Sequence, residues 1–414
     1  MNSAAGRHFL FLQGMPCGFF PQIAARLRAA GARTTRINLC LGDAFFWQGP
    51  AAVNYRGRFK AWPGYIERFF RREQVTDLIL LGEQRYYHRE AVAVAQRLGI
   101  AVTVTDFGYI RPDWITLEHD GMSGGSHFPR DPAAVRALAA RLPEPDWAPR
   151  FVDSAVTMAR GDLLHNFANL FGCWLYPFYR RSDRRPATPI YFPACGLRLW
   201  SNARRQPAAR RLVDDLSASG QAYYVFPLQL NFDFQIVAYS PFPDMEAAIE
   251  QVLESFAAYA PAAARLVVKE HPWDPAIIDW ERVVRRKTRE KGLAGRVHYL
   301  RGGDLNRLIE ASQGVVTVNS TVGMRALQLG RPLLPLGQAV YDIPGLTWQG
   351  GLDRFWTEAP PPDTALTADF LKALAGTVLI RGVYFEPEGL AHAVAEASAR
   401  LLAGQVGAPL PAAG

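Results

Sequence analysis

Lysine and cysteine are scarce in this sequence, and it contains no long apolar run. Only five of its 46 basic residues are lysines, and the four cysteines show no C-x-x-C spacing, which argues against a zinc knuckle or a disulfide scaffold. No apolar stretch approaches the ~20 residues that cross a bilayer, and the first residues lack the basic start and apolar core of a signal peptide. We therefore expect a cytoplasmic protein whose membrane contacts are peripheral.

Motifs for common cofactors are also missing. The stretch FLQGMPCGFF places Gln13 and Gly14 in a strand-to-helix turn, but it does not fit the G-x-G-x-x-G fingerprint of NAD or FAD binding. We find no Walker, H-E-x-x-H or D-x-D motif, so neither P-loop nor metal chemistry is indicated. The sequence predicts no cofactor and no metal ion.

Length and composition indicate a soluble globular protein with more than one core. The chain has 414 residues, of which 49% are hydrophobic and 20% charged, as expected for two α/β domains. The net charge of +8 suits nucleic acid, anionic lipid or a sugar nucleotide alike. The net charge alone does not distinguish between these partners.

Short apolar runs alternate with amphipathic helical patterns along most of the chain, which is typical of parallel sheets. The charged segment RRSDRRPATP interrupts this pattern, and the alternation restarts with TPIYFP, which we interpret as a strand. We predict an N-terminal Rossmann-like domain over 1–183, a C-terminal one over 184–355, and helices over 356–414 that pack back across the domains, with no further strand. The expected fold class is α/β of the GT-B glycosyltransferase type, with the two domains facing a central cleft.

The first candidate site follows a buried strand in LVVKEHPWD. Lys269 and His271 alternate onto the same face, and Pro272 ends the strand, so their side chains lie at a carboxyl edge where ligands bind. A cation beside an imidazole donor can hold a phosphate. A salt-bridged strand end is the structural alternative.

A second strand end, in GVVTVNSTVG, continues into a helix. Asn319, Ser320 and Thr321 lie at this junction, where a helix start provides free N–H groups and a positive dipole for an anion. Hydroxyl caps are common in any protein, so the position of this junction beside Lys269 is what favours a phosphate site.

Two further stretches carry acidic residues at predicted strand ends. In VTDFGYIRPD, Asp106 precedes Gly108, which lets the backbone approach a ligand, and Arg111 can line the cleft or pair with Asp113. In VFPLQLNFDFQ, an amide and a carboxylate, Gln229 and Asp233, lie among apolar residues. Turn formation explains these residue types equally well. Arg85 and His88 are additional cleft candidates.

In this order, the stretches resemble the KpsS-like β-Kdo glycosyltransferases of bacterial capsular polysaccharide biosynthesis. The motifs that carry the resemblance are FLQGMPCGFF, LGDAFFW, YRGRFKAWPGYI, LLGEQRYYHREA, GYIRPDWITLE, Gln229-x-x-x-Asp233, the pair His271 and Pro272, and NSTVG at 319–323. The resemblance implies CMP-β-Kdo as the donor substrate, no metal, and retention by double displacement. It makes Asp233 the nucleophile and Asp106, where the family has Glu, the acid/base, with Gln229 orienting Asp233 or the Kdo carboxylate.

The resemblance also implies partners. Relatives that extend the Kdo linker carry two such modules and this chain has one, so we expect transfer of the first Kdo to a phosphatidylglycerol-type lipid. This would occur at the cytoplasmic face of the inner membrane, alongside other capsule biosynthesis proteins and without nucleic acid. Arg180, Arg181, Arg184 and Arg185, with exposed aromatics, are candidates for head-group contact. A GT-B enzyme with another sugar nucleotide, an epimerase, and a sugar- or nucleic-acid-binding protein are the alternatives.

Overall fold

A computed structural model describes residues 4–47, 49–181 and 185–407, which form two compact units. The first unit comprises residues 1–128, 138–182 and 371–414, and the second comprises 129–137 and 183–370. The units change at 182/183 and 370/371, where the sequence analysis placed boundaries at 183/184 and 355/356. Arg184 lies outside the described residues.

The first unit contains a seven-stranded sheet. In chain order its strands are β1 (His8–Phe11), β2 (Arg33–Asn38), β3 (Ala52–Asn54), β4 (Asp77–Leu81), β5 (Ala101–Phe107), β6 (Trp114–His119) and β12 (Leu379–Arg381). Their spatial order is β12-β6-β5-β4-β1-β2-β3, with β6 antiparallel to both of its neighbours and the other pairs parallel. The prediction of no strand in the C-terminal segment was therefore wrong, because β12 is too short to stand out from its helical flanks.

Helices alternate with these strands along the chain. Those that precede the second sheet in the chain are α1 (Phe19–Ala29), α2 (Leu41–Phe45), α3 (Trp62–Glu73), α4 (Tyr86–Arg97), α5 (Pro132–Ala139) and α6 (Ala155–Phe171). The last helix, α15 (Pro387–Ala403), packs on α1 through one apolar cluster that includes Phe19, Ile23, Val394 and Leu401. The C-terminal segment thus completes the core of the first unit.

The second unit contains a five-stranded sheet that is parallel throughout. Its strands are β7 (Tyr223–Pro227), β8 (Arg265–Lys269), β9 (Val297–Leu300), β10 (Gly314–Thr317) and β11 (Leu333–Pro335), in the spatial order β11-β10-β7-β8-β9. The remaining helices are α7 (Thr188–Ala218), α8 (Phe234–Tyr239), α9 (Met245–Tyr259), α10 (Trp280–Glu290), α11 (Leu305–Glu310), α12 (Val322–Gln328), α13 (Leu352–Glu358) and α14 (Thr364–Thr377). Strand β7 is buried along its whole length, as expected for a strand between two parallel neighbours.

The interpretation of TPIYFP as a strand was wrong, because these residues begin helix α7. Pro189 lies in the first turn, where its missing N–H costs no hydrogen bond and its fixed φ suits a helix. Thr188 and Tyr191 are the buried residues of this turn, three apart as on one helix face. A short apolar run does not by itself distinguish the two structures.

The predicted fold class is confirmed in its components, a mixed α/β chain with two parallel-rich sheets. None of the described helices is both long and apolar enough to cross a bilayer. No disulfide links Cys17, Cys40, Cys173 and Cys195 in the part of the chain that the structure describes.

Candidate functional site

A cavity of about 430 Å³ opens at the carboxyl edge of the second sheet. Its walls come from the segments that follow β7, β8 and β9, from the middle of α7, and from the first residue of α12. The lining residues that bear on chemistry are Lys269, Glu270, His271, Pro272, Asn202 and Gln206. The parallel-sheet rule predicted this position, since ligands bind beyond the carboxyl ends of the strands.

Lys269 provides the positive charge of this pocket. Its side chain is buried at the end of β8, and Nζ donates a hydrogen bond to the Glu270 carbonyl oxygen at 2.9 Å. Burial lowers the pKa of Lys269 to about 8, although the Glu270 carboxylate opposes the shift. The ammonium is therefore charged at neutral pH but weakly hydrated, which suits it to bind an anion.

His271 lies beside it as a neutral hydrogen-bond donor. Its Nδ1 accepts a hydrogen bond from the Trp273 backbone N–H at 3.1 Å, which leaves the ring proton on Nε2. Burial and the neighbouring Lys269 charge lower the pKa of His271 to about 4. The pair therefore combines one cation with one uncharged donor.

The salt bridge that was the structural alternative for this strand end also forms, and Glu270 is the residue that forms it. Its buried carboxylate forms an ion pair with Arg198 of α7 and accepts a hydrogen bond from the Tyr299 hydroxyl at 2.5 Å. Arg301 lies 3.9 Å away. Because these groups engage the Glu270 carboxylate, they fix α7 against the strand ends and form one wall of the pocket.

Gln229 does not contact Asp233 in the way that the sequence analysis considered. Its Nε2 donates to Asn319 Oδ1 at 2.9 Å, and its Oε1 accepts from the Asn319 backbone N–H at 3.1 Å. Asn319 Nδ2 also donates to the Gln235 carbonyl. Gln229 thus joins the loop after β7 to the loop after β10, and it is a positioning residue.

Replacing Gln229 with alanine is expected to lower the free energy of unfolding by about 1–3 kcal/mol, because two buried groups of Asn319 lose their partners. Gln313→Ala is the matched control, since that exposed side chain should change stability by less than about 0.5 kcal/mol. Urea titration of both variants measures the difference. Unchanged stability with a lower turnover rate would instead place Gln229 on the substrate.

Ser320 and Thr321 lie at the start of α12, next to the pocket. Ser320 Oγ accepts from the Val322 N–H at 3.2 Å, whereas Thr321 is the N-cap residue without a capping bond from its side chain. The helix has only seven residues, so its dipole adds little to the charge of Lys269. Val322 lines the cavity itself.

Asp233 has a clear local role. It is the N-cap residue of α8, and its Oδ1 accepts a hydrogen bond from the Gln235 N–H at 2.9 Å. Asn231 similarly accepts from the Met245 N–H at 3.0 Å. The neighbouring Phe232 packs against Tyr191, and Asp233 itself is half-buried. The turn-forming interpretation of this stretch is therefore correct for its local geometry.

In the first unit, Asp106 and Arg85 converge at the ends of β5 and β4. A Cβ added to Gly82, whose φ is +60°, would lie 3.8 Å from Asp106 Oδ2 and 3.9 Å from Arg85 Nε. Burial raises the pKa of Asp106, although a hydrogen bond from the Phe107 N–H and the charges of Arg85 and Arg111 oppose the shift. The pKa of Asp106 is thus raised, which is the direction that favours proton transfer near neutral pH.

The neighbours of Asp106 differ from the sequence expectations. Gly108 serves packing, because a Cβ there would lie 2.4 Å from the Trp114 carbonyl oxygen. Arg111 does not pair with Asp113, which instead forms a 2.7 Å ion pair with Arg381 of β12. The Arg111 guanidinium stacks over the Phe107 ring at 4.7 Å.

Two other first-unit candidates, Gly14 and His88, have structural roles. Gly14 lies against the Phe20 ring, with no room for a Cβ. His88 is fully buried, its Nδ1 lies 2.9 Å from the carbonyl oxygens of Leu81 and Gly82, and burial lowers its pKa to about 3. Its contacts are those of a structural core histidine.

Two groups of described side chains have ligand atoms close enough to hold a metal ion. They are Cys40, Asp43 and His165, and His119, Asp120 and His127. In the first group, Arg36 lies 3.3 Å from Asp43 Oδ1, and Gln13 Nε2 donates to the same oxygen at 3.2 Å. A resident guanidinium opposes a second cation, so this group is better described as a polar network between α2 and α6. The second group is largely exposed.

The pocket wall that helix α7 contributes was not predicted from the sequence. Arg198, Asn202 and Gln206 were not considered, because the start of their helix was interpreted as a strand. Gln206 accepts from the Gly303 N–H at 3.0 Å, in a turn where Gly302 and Gly303 have φ near +80°. The Gly-Gly pair was the available signal, since it marks a turn at the carboxyl end of β9.

Comparison with known proteins agrees with the resemblance seen in the motifs. The family described as capsule polysaccharide biosynthesis protein matches residues 76–385. The Escherichia coli capsule polysaccharide export protein KpsS is 30% identical over 385 residues, covering 92% of this chain and 97% of that protein. The Neisseria meningitidis capsule polysaccharide modification protein LipB is 29% identical over 368 residues, covering 87% and 88%.

Among solved structures, the chain is similar to the β-Kdo 2,7 transferase of Thermosulfurimonas dismutans KpsC, with a TM-score of 0.44 and 13% identity over 94% of this chain and 99% of that one. The family match covers well over half of the sequence, and the similarity to KpsS extends over nearly all of it. The chain therefore belongs to the capsule polysaccharide biosynthesis protein family.

Proposed function

We propose that this protein is a retaining glycosyltransferase that moves β-Kdo from CMP-β-Kdo to a phosphatidylglycerol-type lipid. The observation that carries the proposal is the second-unit pocket, where a buried ammonium and a neutral imidazole meet at the carboxyl edge of a parallel sheet. The names of the relatives, which refer to capsule polysaccharide export and modification, support a role for such a reaction in the assembly of a capsule.

The pocket suits a nucleoside monophosphate that leaves from a sugar. In CMP-Kdo the phosphate oxygen is bonded to the anomeric carbon, and cleavage of this bond places negative charge on the phosphate. Lys269 and the His271 Nε2–H would stabilise that charge electrostatically, in a site shielded from water. Because CMP with its charge compensated is a good leaving group, no acid need protonate it.

Retention of configuration requires two inversions. In the first step the Asp233 carboxylate would attack the anomeric carbon, form a covalent ester with Kdo and release CMP. In the second step the acceptor hydroxyl would attack the same carbon, Asp106 would take its proton, and the ester bond to Asp233 would break. The half-buried surroundings of Asp233 support the first role, since a poorly hydrated carboxylate is a stronger nucleophile.

Lys269→Met is expected to weaken CMP binding about 10- to 100-fold, because a hydrogen bond to a charged group is worth about 1.5–3 kcal/mol. Methionine keeps the buried volume and removes only the charge. The affinity of the wild-type protein should fall as the pH rises through about 8, where Lys269 loses its proton. The same pH dependence should be absent from the variant.

Calorimetric titration with CMP measures both effects. Lys287→Met is the matched control, because that lysine forms ion pairs with Glu246 and Glu250 on the surface between α9 and α10. Equal CMP affinity for wild type and Lys269→Met would remove Lys269 from the donor site.

The reaction itself is tested with CMP-Kdo generated in situ and a fluorescent lysophosphatidylglycerol acceptor. The expected product carries one Kdo residue in β configuration. Turnover of a UDP-sugar without any Kdo product would favour the alternatives of a different donor or an epimerase. Binding of sugar nucleotides without turnover of any would favour a non-enzymatic protein.

A further inference from the structure

Helix α6 turns small and polar residues toward the rest of the first unit. His165 Nε2 lies 3.6 Å from Asp43 Oδ1, and Asn169 Oδ1 accepts from the Gly42 N–H at 2.7 Å. Gly161 and Gly172 bring the helix so close that a Cβ on either would collide with Pro16 or Leu41. These four positions, 161, 165, 169 and 172, follow helical spacing and form one face.

The opposite face of α6 is apolar and exposed. Val156, Leu164, Phe167 and Phe171 recur at spacings of three, four or eight residues, and Trp174 and Phe178 extend the row beyond the helix. We call these six residues the outer stripe. Phe171 and Trp174 are 74% and 73% exposed. The helix is thus reversed with respect to an ordinary surface helix, whose apolar face is directed at the core.

This reversal points to a partner for the outer stripe. Isolated apolar residues on a surface need no explanation, but a contiguous row of them marks an interaction site. The contacts of His165, Asn169 and the two glycines fix the orientation of the helix, so the stripe does not turn inward by a simple rotation. The exposed aromatics are therefore a permanent feature of this surface.

Arginines lie near both ends of the outer stripe. Arg160 lies on the same exposed face, between Val156 and Leu164. The guanidinium of Arg58 lies 5.0 Å from the Phe178 ring centre, and that of Arg56 lies 5.7 Å from the Tyr176 ring centre. Residues 54–60 hold three basic residues and no acidic one. Arginine beside exposed aromatic and aliphatic side chains is the composition of a helix that lies in an anionic membrane interface.

We propose that the outer stripe and its arginines dock this protein on an anionic phospholipid surface. The axis of α6 would lie in the membrane plane, with the aromatic side chains inserted among the acyl chains near the head groups and the arginines paired with phosphates. A lipid surface fits better than a protein groove, because an arginine lies near each end of the row, Arg160 on the helix and Arg58 beside Phe178. The inference goes beyond the proposed reaction and does not depend on which sugar is transferred.

The test uses the full-length protein and vesicles of phosphatidylcholine with or without phosphatidylglycerol. Phe171→Ser combined with Trp174→Ser should weaken binding to the anionic vesicles at least about tenfold, since two large apolar side chains no longer leave water. Arg58→Gln and Arg160→Gln should each weaken it about fivefold, without an effect on neutral vesicles. Tyr259→Ser, which changes an exposed aromatic at the end of α9, should bind like wild type.

Trp174→Phe provides a second readout. This variant should still bind, but the fluorescence component that brominated lipids quench in the wild type should disappear. The proposal fails if the wild type does not bind anionic vesicles at low ionic strength, or if the serine double variant binds equally well. A change from dimer to monomer in the double variant, with vesicle binding intact, would assign the stripe to a second copy and overturn the proposal.

Transfer to a water-soluble, short-chain acceptor separates this proposal from the proposed function. The serine double variant should retain that transfer while losing vesicle binding. If the wild type binds vesicles through the stripe but transfers no sugar to any acceptor, the proposed function fails and the docking surface stands.

Discussion

Asp233→Asn should reduce sugar transfer at least about a thousandfold, because an amide does not form the ester intermediate that double displacement requires. The effect should fall on the rate of the chemical step, and CMP affinity should stay within about twofold of wild type. Rates with CMP-Kdo generated in situ, together with calorimetric titration of CMP, measure the two quantities. Mass spectrometry of the wild-type protein, quenched during turnover without acceptor, should show a Kdo adduct on the peptide that contains Asp233.

The cap role of Asp233 makes asparagine the informative substitution. Asparagine accepts the Gln235 N–H as well as aspartate does, so α8 should keep its N-cap and the protein its stability. Asp233→Ala, by contrast, loses both functions and should lower the free energy of unfolding by about 1 kcal/mol. Wild-type activity in Asp233→Asn would show that this carboxylate only caps the helix, and the nucleophile would have to be sought elsewhere.

The strand ends of the second sheet were predictable from the sequence. Buried runs such as RLVVK stop at charged residues and proline, and the carboxyl edge of a parallel sheet is where such residues meet. The position of Lys269 and His271 in one pocket follows from this rule alone. The neutral state of His271 does not, since it depends on burial and on the Trp273 N–H.

The features that escaped prediction depend on contacts between distant residues. The resemblance implied that Gln229 orients Asp233 or the Kdo carboxylate, whereas its hydrogen-bond partner in the structure, Asn319, lies ninety residues away. The same holds for Asp113, which pairs with Arg381 and not with its sequence neighbour Arg111. In both cases the side chain contacts a residue that is distant in the sequence, which local spacing does not reveal.

The exposed apolar face of helix α6 was not predicted, for a different reason. Its apolar residues have helical spacing, and the usual inference is that such a face is buried. Only the contacts of His165 and Asn169 show that the polar face is directed inward. Hydrophobic periodicity therefore indicates an apolar helix face without showing whether that face is directed at the core.

Asp106→Asn should lower the transfer rate about 100-fold or more, the usual contribution of a general base. A base acts only when ionised, so wild-type activity should fall as the pH drops through the pKa of Asp106. Because burial raises that pKa, the fall should begin at a higher pH than for an ordinary aspartate. In the variant the acidic limb of the rate profile should vanish along with most of the rate.

The two ends of the pH profile then report different residues. Loss of turnover at low pH belongs to Asp106 in the first unit, and loss of donor affinity above about 8 belongs to Lys269 in the second. Asp106→Glu restores the residue that the resemblance places there, so it should keep a low-pH limb where asparagine has none. If Asp106→Asn keeps the low-pH limb of the wild type, the general base is another group. The high-pH dependence of CMP affinity tests Lys269 separately, and its presence in Asp106→Asn would still support Lys269 as the donor-phosphate ligand.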